Sequence, residues 1–170
     1  MSLLDKVAAA LAPSTIEGEV NAIDLLKQDH DDVDALFKDY QMLVDGEGDA
    51  GDRRTLSTRI CGMLAVHAMI EEEIFYPAAR AAKVDADLLD EAQIEHGSAK
   101  ELIAQIGAAH AAEPLYDARV KVLGEYIHHH VKEEEGELFP ACRKSDMDMV
   151  EIGARLQKRK DQLMQKLAGK

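Results

Sequence analysis

Six polar side chains stand where a helical chain should be apolar. His30 shares a stripe with Leu26, Val33, Phe37 and Tyr40, and His67 and Glu71 share one with Ile60, Leu64 and Ile74. His96 falls among Leu89, Ala92, Ala99, Ile103 and Ile106, and His130 and Glu134 fall among Tyr116, Val120, Leu123, Ile127 and Leu138. Spacings of three and four put each set on one helix face. If the four faces share an axis, four imidazoles and two carboxylates meet inside a core of Leu, Ile, Val and Ala. Two unpaired carboxylates there would be strongly unfavourable. A metal centre removes that objection, because imidazole nitrogen suits iron, zinc, nickel and copper while carboxylate oxygen suits harder ions. Each His-x-x-x-Glu pair offers both donors one turn apart, and two facing carboxylates can bridge two ions. Six ligands are few for two six-coordinate ions, which leaves room for a bridging oxo or hydroxo group and for open positions.

The elements that must hold these residues repeat. Gln28-Asp29-His30 is matched by Ile94-Glu95-His96 in the second half of the chain, and His67 is matched by His130. His67 and His130 are each followed by a glutamate one turn on (Glu71, Glu134) and then by a proline (Pro77, Pro140) at the same spacing. The pattern predicts helices over 22–44, capped by Asn21, and over 53–75, ended near Pro77. It predicts two more over 87–109 and from Pro114, in the first turn, to about 138, closed by Pro140. Residues 45–52 read as a solvated acidic loop. Four helices of this length with short connections favour an all-α, up-down-up-down four-helix bundle. The bundle is expected over 21–142. An N-terminal extension precedes it over 1–20, with a short helix at 3–11, and an amphipathic C-terminal helix follows within 143–170.

Composition narrows the function classes. Of 170 residues, 33 are acidic and 20 are Lys or Arg, a formal net charge of −13. Such a field opposes nucleic acid and anionic membranes as partners and favours cations. The basic end of the last helix, RLQKRKDQLMQK, is the exception and a place for a protein partner. Two cysteines make no disulfide scaffold; Cys61 is expected to be buried and inert, and for Cys142, near the bundle end, redox exposure is the lesser of two readings. No basic leader or membrane anchor is read at the start, so a cytoplasmic location is expected. His128 and His129 are read as surface residues, Lys100 as reaching outward, and His110 as ending the third helix. Tyr40 and Tyr116 are read as core. Glu72, Glu73, Glu133 and Glu135 are read as solvated groups or as acceptors for the far ring nitrogen of a ligand histidine.

The halves HxxxEEEIFYP and HxxxEEGELFP, each preceded by a lone helical histidine, resemble the hemerythrin-like HHE cation-binding family. The resemblance implies a hemerythrin-like bundle around a non-haem di-iron centre. His30 and His67 would hold one iron, His96 and His130 the other, and Glu71 and Glu134 would bridge them. The oxygen-carrying members have a second histidine one turn from the first on the third helix, where this chain has Ala92 and Lys100. They also use Asp one residue beyond the position of Glu134. A second iron with fewer protein ligands favours exchange or redox chemistry over simple oxygen carriage. The expected function is binding of O2, peroxide or NO at two irons with a bridging oxo or hydroxo group, with hydrogen peroxide disproportionation as the catalytic form. The alternatives are a non-catalytic iron- or gas-responsive sensor or storage module, and a bundle holding zinc structurally.

Overall fold

The computed structural model describes residues 18–169, so the helix expected at 3–11 lies outside the described residues. Every described element is a helix. The first is α1 (Ala22–Asp45); the second is α2 (Ala50–Ile70), which passes through a five-residue π-helical turn, Glu71–Phe75, into α3 (Tyr76–Ala81). Then come α4 (Ala86–Ala108) and α5 (Tyr116–Glu133), which passes through a second π turn, Glu134–Leu138, into α6 (Phe139–Arg143). The last is α7 (Met149–Ala168). Helix α1 packs on α2, α2 on α4, α4 on α5 and α5 on α1, closing a four-helix bundle; α7 lies across α1 and α2.

Local chemistry sets the starts. Asn21, Asp49, Asp85 and Asp148 each cap a helix, their side-chain oxygens accepting backbone N–H groups of the first turn at 2.9–3.4 Å. Pro114 does not enter the fourth helix. Leu115 takes a left-handed conformation (φ 71°) and the helix begins at Tyr116, because Glu113 and Pro114 belong to a turn closed from Tyr116 N–H to Glu113 C=O. His110 does not close α4 either. The Arg54 guanidinium donates to the carbonyls of Ile106, Gly107 and Ala109 at 2.7–3.0 Å and so satisfies that helix end.

The prolines do not end their helices. A proline inside an α-helix clashes with the carbonyl four residues back and removes a donor. Here the turn before each proline widens, with Tyr76 N–H bonding Glu71 C=O and Phe139 N–H bonding Glu134 C=O, and the α-helix resumes with the proline in its first turn. The extra residue shifts the register, so fully buried Phe75 takes the place that strict helical spacing assigns to Ile74.

The apolar core is split. One cluster holds Ile23, Leu26, Ile70, Phe75, Phe139 and Cys142, with Leu156 of α7. The other holds Val33, Tyr40, Ile60, Leu64, Ile106, Tyr116 and Leu123. The residues between them along α1, α2, α4 and α5 are polar.

Candidate metal centre

All six axis-facing residues are buried, from Glu71 at 0% exposed to His30 at 7%, and they form one layer. Donor atoms of His30, His67, Glu71 and Glu134 converge within 4.8 Å, as do those of Glu71, His96 and His130. His30 and His67 face each other with Nε2 atoms 3.2 Å apart; His96 and His130 do the same at 3.2 Å. Glu71 Oε2 lies 3.1 Å from His67 Nε2 and 3.3 Å from His96 Nε2, so it spans the two histidine pairs. Glu134 Oε2 spans them from the other side, 3.4 Å from Nε2 of both His30 and His130.

The outer nitrogens explain why the inner ones point inward. Each Nδ1 meets a carboxylate: His30 at Glu135 (2.9 Å), His67 at Asp29 (3.3 Å), His96 at Glu72 (3.0 Å) and His130 at Glu95 (2.8 Å). Donation from Nδ1–H leaves Nε2 as the free lone pair. The carboxylates are held in turn. Lys27 lies 3.0 Å from Glu135, Lys100 lies 2.6 Å from Glu72, and Lys160 of α7 donates to Asp29. Lys100 therefore reaches outward, as its spacing suggested, and ends on a group that orients His96.

Only a proton or a metal ion can lie between two imidazole nitrogens this close. Burial lowers the proton affinity of His67, but Glu71 and Asp29 outweigh it and hold the imidazolium form well above its ordinary range. Burial acts the same way on His130, where Glu134 and Glu95 push the value up to about 10. Burial and the charge of Glu134 raise Glu71, yet His67 and His96 bring it below its ordinary value. Burial also raises Glu134, and His130 and His30 bring it well below. Without metal, His67 and His130 are thus held as imidazolium against Glu71 and Glu134. Glu71 Oε1 and Glu134 Oε2 remain buried without a hydrogen-bond partner among the described residues. Orphaned carboxylate oxygens beside inward imidazole nitrogens make a donor set suited to metal cations.

Tyr76 was not among the residues singled out from the sequence. Its hydroxyl donates to Glu134 Oε1 at 2.8 Å and lies 3.4 Å from Glu71 Oε2 and 3.3 Å from His96 Nε2. Burial and the two carboxylate charges keep the phenol protonated. Five residues after Glu134 the second half has Phe139, stacked on His30 at 5.8 Å between ring centroids. Aligning IFYP with ELFP exposes this Tyr–Phe asymmetry. Tyr40 and Tyr116 are core residues bonded to Asp117 and Ser57, both at 2.6 Å. The cysteines differ in burial, and Cys142 is closed to redox chemistry. Cys142 is fully buried, with its thiol pushed up to about 12 by burial and by Glu134, whereas Cys61 is half-buried. The reason is the resumed helix α6, which turns Cys142 into the core beneath the layer.

A family model described as the hemerythrin HHE cation binding domain matches residues 21–142. A DNA nickase of Nostoc sp. is 30% identical over 139 residues, covering 82% of this chain; the chain spans 38% of that protein's length. The crystal structure of a hemerythrin HHE cation binding domain-containing protein from Mycobacterium kansasii superposes with a TM-score of 0.72 at 22% identity, over 88% of this chain and 90% of that one. That likeness shows a shared fold.

Proposed function

Because the chain belongs to the hemerythrin HHE cation binding domain family, we propose that its buried layer is a di-iron centre that takes a small oxygen- or nitrogen-based ligand. His30 and His67 hold one ion, His96 and His130 the other, and Glu71 and Glu134 bridge the two. The observation that carries this reading is the pairing of inward-facing Nε2 atoms at 3.2 Å, with each glutamate reaching one histidine of each pair. When bound, two irons supply Lewis acidity and reversible one-electron steps. The chain's own residues do the rest. The outer carboxylates keep each Nδ1 protonated and each ring fixed. Tyr76 holds a proton 2.8 Å from Glu134 Oε1 and orients that carboxylate.

Beside the histidines lies a cavity of about 30 Å³ with an apolar wall of Val33, Leu64, Ala99, Ile103 and Ile127. Its size and lining suit O2, NO or hydrogen peroxide and exclude larger substrates. An open groove of about 770 Å³ between α1 and α5 reaches His30 and Glu135 and offers a route inward. With two protein histidines per iron, open positions remain for exchange, which favours peroxide disproportionation over simple oxygen carriage.

The second reading, an iron- or gas-responsive sensor, draws on one contact. Lys160 ties α7 to Asp29 and so to His67, giving the C-terminal helix a direct link to the layer through which a protein partner is signalled. A net charge of −13 repels a phosphate backbone, and among the described residues no helix is long and apolar enough to cross a membrane.

Metal content per chain and the absorption spectrum before and after peroxide test the proposal. Two irons with near-ultraviolet charge-transfer bands that respond to peroxide are expected, with oxygen release above that of free iron for the catalytic form. Zinc alone, or no metal after reconstitution, would leave the fold and remove the redox function. Responsive bands without oxygen release would select the sensor.

A further inference from the structure

Three of the four carboxylates that orient the histidines end on a lysine; the fourth does not. Glu95 gives Oε2 to His130 Nδ1 at 2.8 Å, and no Lys or Arg among the described residues pairs with it. Its Oε1 instead lies 3.4 Å from Nε2 of His129, which also lies 3.1 Å from Glu133 Oε1. One ring N–H thus faces two carboxylates that no fixed cation neutralises. His129 and Glu133 repeat the His-x-x-x-Glu spacing of His130 and Glu134, displaced by one residue to the outer face of α5.

The internal repeat sharpens the contrast. Glu95 corresponds to Asp29, and the positions matching His129 and Glu133 in the first half are Val66 and Ile70, both buried. In that half α7 lies over α1 and α2 and delivers Lys160 to Asp29. In the second half His129 is 63% exposed, and a nitrogen and two oxygens converge where the first half receives the ammonium.

We propose that Glu95, His129 and Glu133 form an exchangeable divalent-cation site on the surface, joined to the buried layer through Glu95. An ion there stands to Glu95 as Lys160 stands to Asp29. Metal–ligand bonds of about 2.0–2.1 Å in tetrahedral geometry separate donor atoms by about 3.3 Å, and the separations of 3.1 and 3.4 Å match. Three protein donors with an open, solvated position make the ion exchangeable. Because one carboxylate serves both sites, an outer ion draws charge from Glu95 and weakens its hold on the His130 Nδ1 proton, which tunes the inner nitrogen.

Zinc is the probe, since it favours this donor set and is spectroscopically silent. The purified protein is titrated by calorimetry, with iron and zinc counted after desalting, beside His129→Ala/Glu133→Gln and Glu133→Lys. The wild type is expected to take one zinc per chain more than either variant, with iron content unchanged in all three. Glu133→Lys puts a fixed cation where the ion would sit; it should fold at least as stably and bind no outer zinc. In iron-loaded protein, zinc should shift the visible band of the wild type and of neither variant. Equal zinc binding by wild type and variants overturns the site, and a zinc count that differs without any band shift overturns the link through Glu95. Only the link rests on the di-iron reading. If the layer holds no iron, the one-equivalent difference still decides the outer site.

Discussion

Tyr76 is where the two halves of the layer part. It fills the position of Phe139, yet brings a hydroxyl to 2.8 Å from Glu134 and 3.4 Å from Glu71. Hydrogen bonds to charged groups contribute about 1.5–3 kcal/mol. Tyr76→Phe keeps the ring and leaves Glu134 Oε1 without its donor, so urea unfolding of the metal-free protein should show a loss of about that size; an unchanged midpoint would show that the hydroxyl holds nothing. The six layer residues were legible in the sequence because each interrupts an apolar helical period, and the interruption repeats. Asp29 and Glu95 were not. They precede a stripe histidine in both halves of the repeat, but spacing assigns them no role, since that depends on which neighbouring helix brings His67 or His130 across. Glu72 and Glu135 were legible only as a class, among the four acids flanking Glu71 and Glu134. How deeply Cys142 is buried was not legible, because its burial follows from a helix that continues past Pro140.

At the scale of elements, the prolines carry the main departure from expectation. Pro77 and Pro140 read as stops by the rule that proline breaks helices. The chain answers with π turns that begin at Glu71 and Glu134, and such widened turns gather at functional sites. The position of α7 was not legible, although its amphipathic pattern was, because docking depends on one residue without a side chain. A Cβ on Gly153 would lie 1.9 Å from the carbonyl oxygen of Val20 and 2.9 Å from Ala22 N. Backbone cannot yield as a flexible side chain does, so Gly153→Ala should cost about 1–3 kcal/mol or more. The midpoint should fall, and amide exchange should speed up in α7 before α4 or α5. Lys160 has a different kind of role: its ammonium completes the contact from α7 to Asp29 and His67. Removing a group behind a metal-bound histidine typically weakens metal affinity by about 10–100-fold. Lys160→Met should therefore lower iron retention against a chelator by about tenfold, with Lys160→Arg restoring most of it. A normal affinity in Lys160→Met would separate α7 from the centre and weaken the sensor reading.

For the molecule as a whole, protons and metal compete for one layer, and the pH dependence of stability should reveal which is present. In the metal-free chain His67 is held above its ordinary value, and His130 is pushed up to about 10 against an ordinary 6.5. A group whose folded value is raised contributes stability that is full below its unfolded value and disappears as pH rises through the folded one. Glu71 and Glu134, held below 4.5, stay ionised across the same range and leave its slope unchanged. Metal-free protein should thus lose stability steadily from about pH 6.5 towards pH 10. The loaded protein should not, because metal binds the deprotonated rings and releases their protons, so its grip strengthens as pH rises. The gap in melting temperature between loaded and chelator-stripped protein is then expected to widen from about pH 6 to about pH 9. Melting curves of both forms at several pH values in that window measure it directly. A gap that stays constant would mean that no proton leaves the histidines when metal enters, and that the facing nitrogen pairs are closed by something other than the metal.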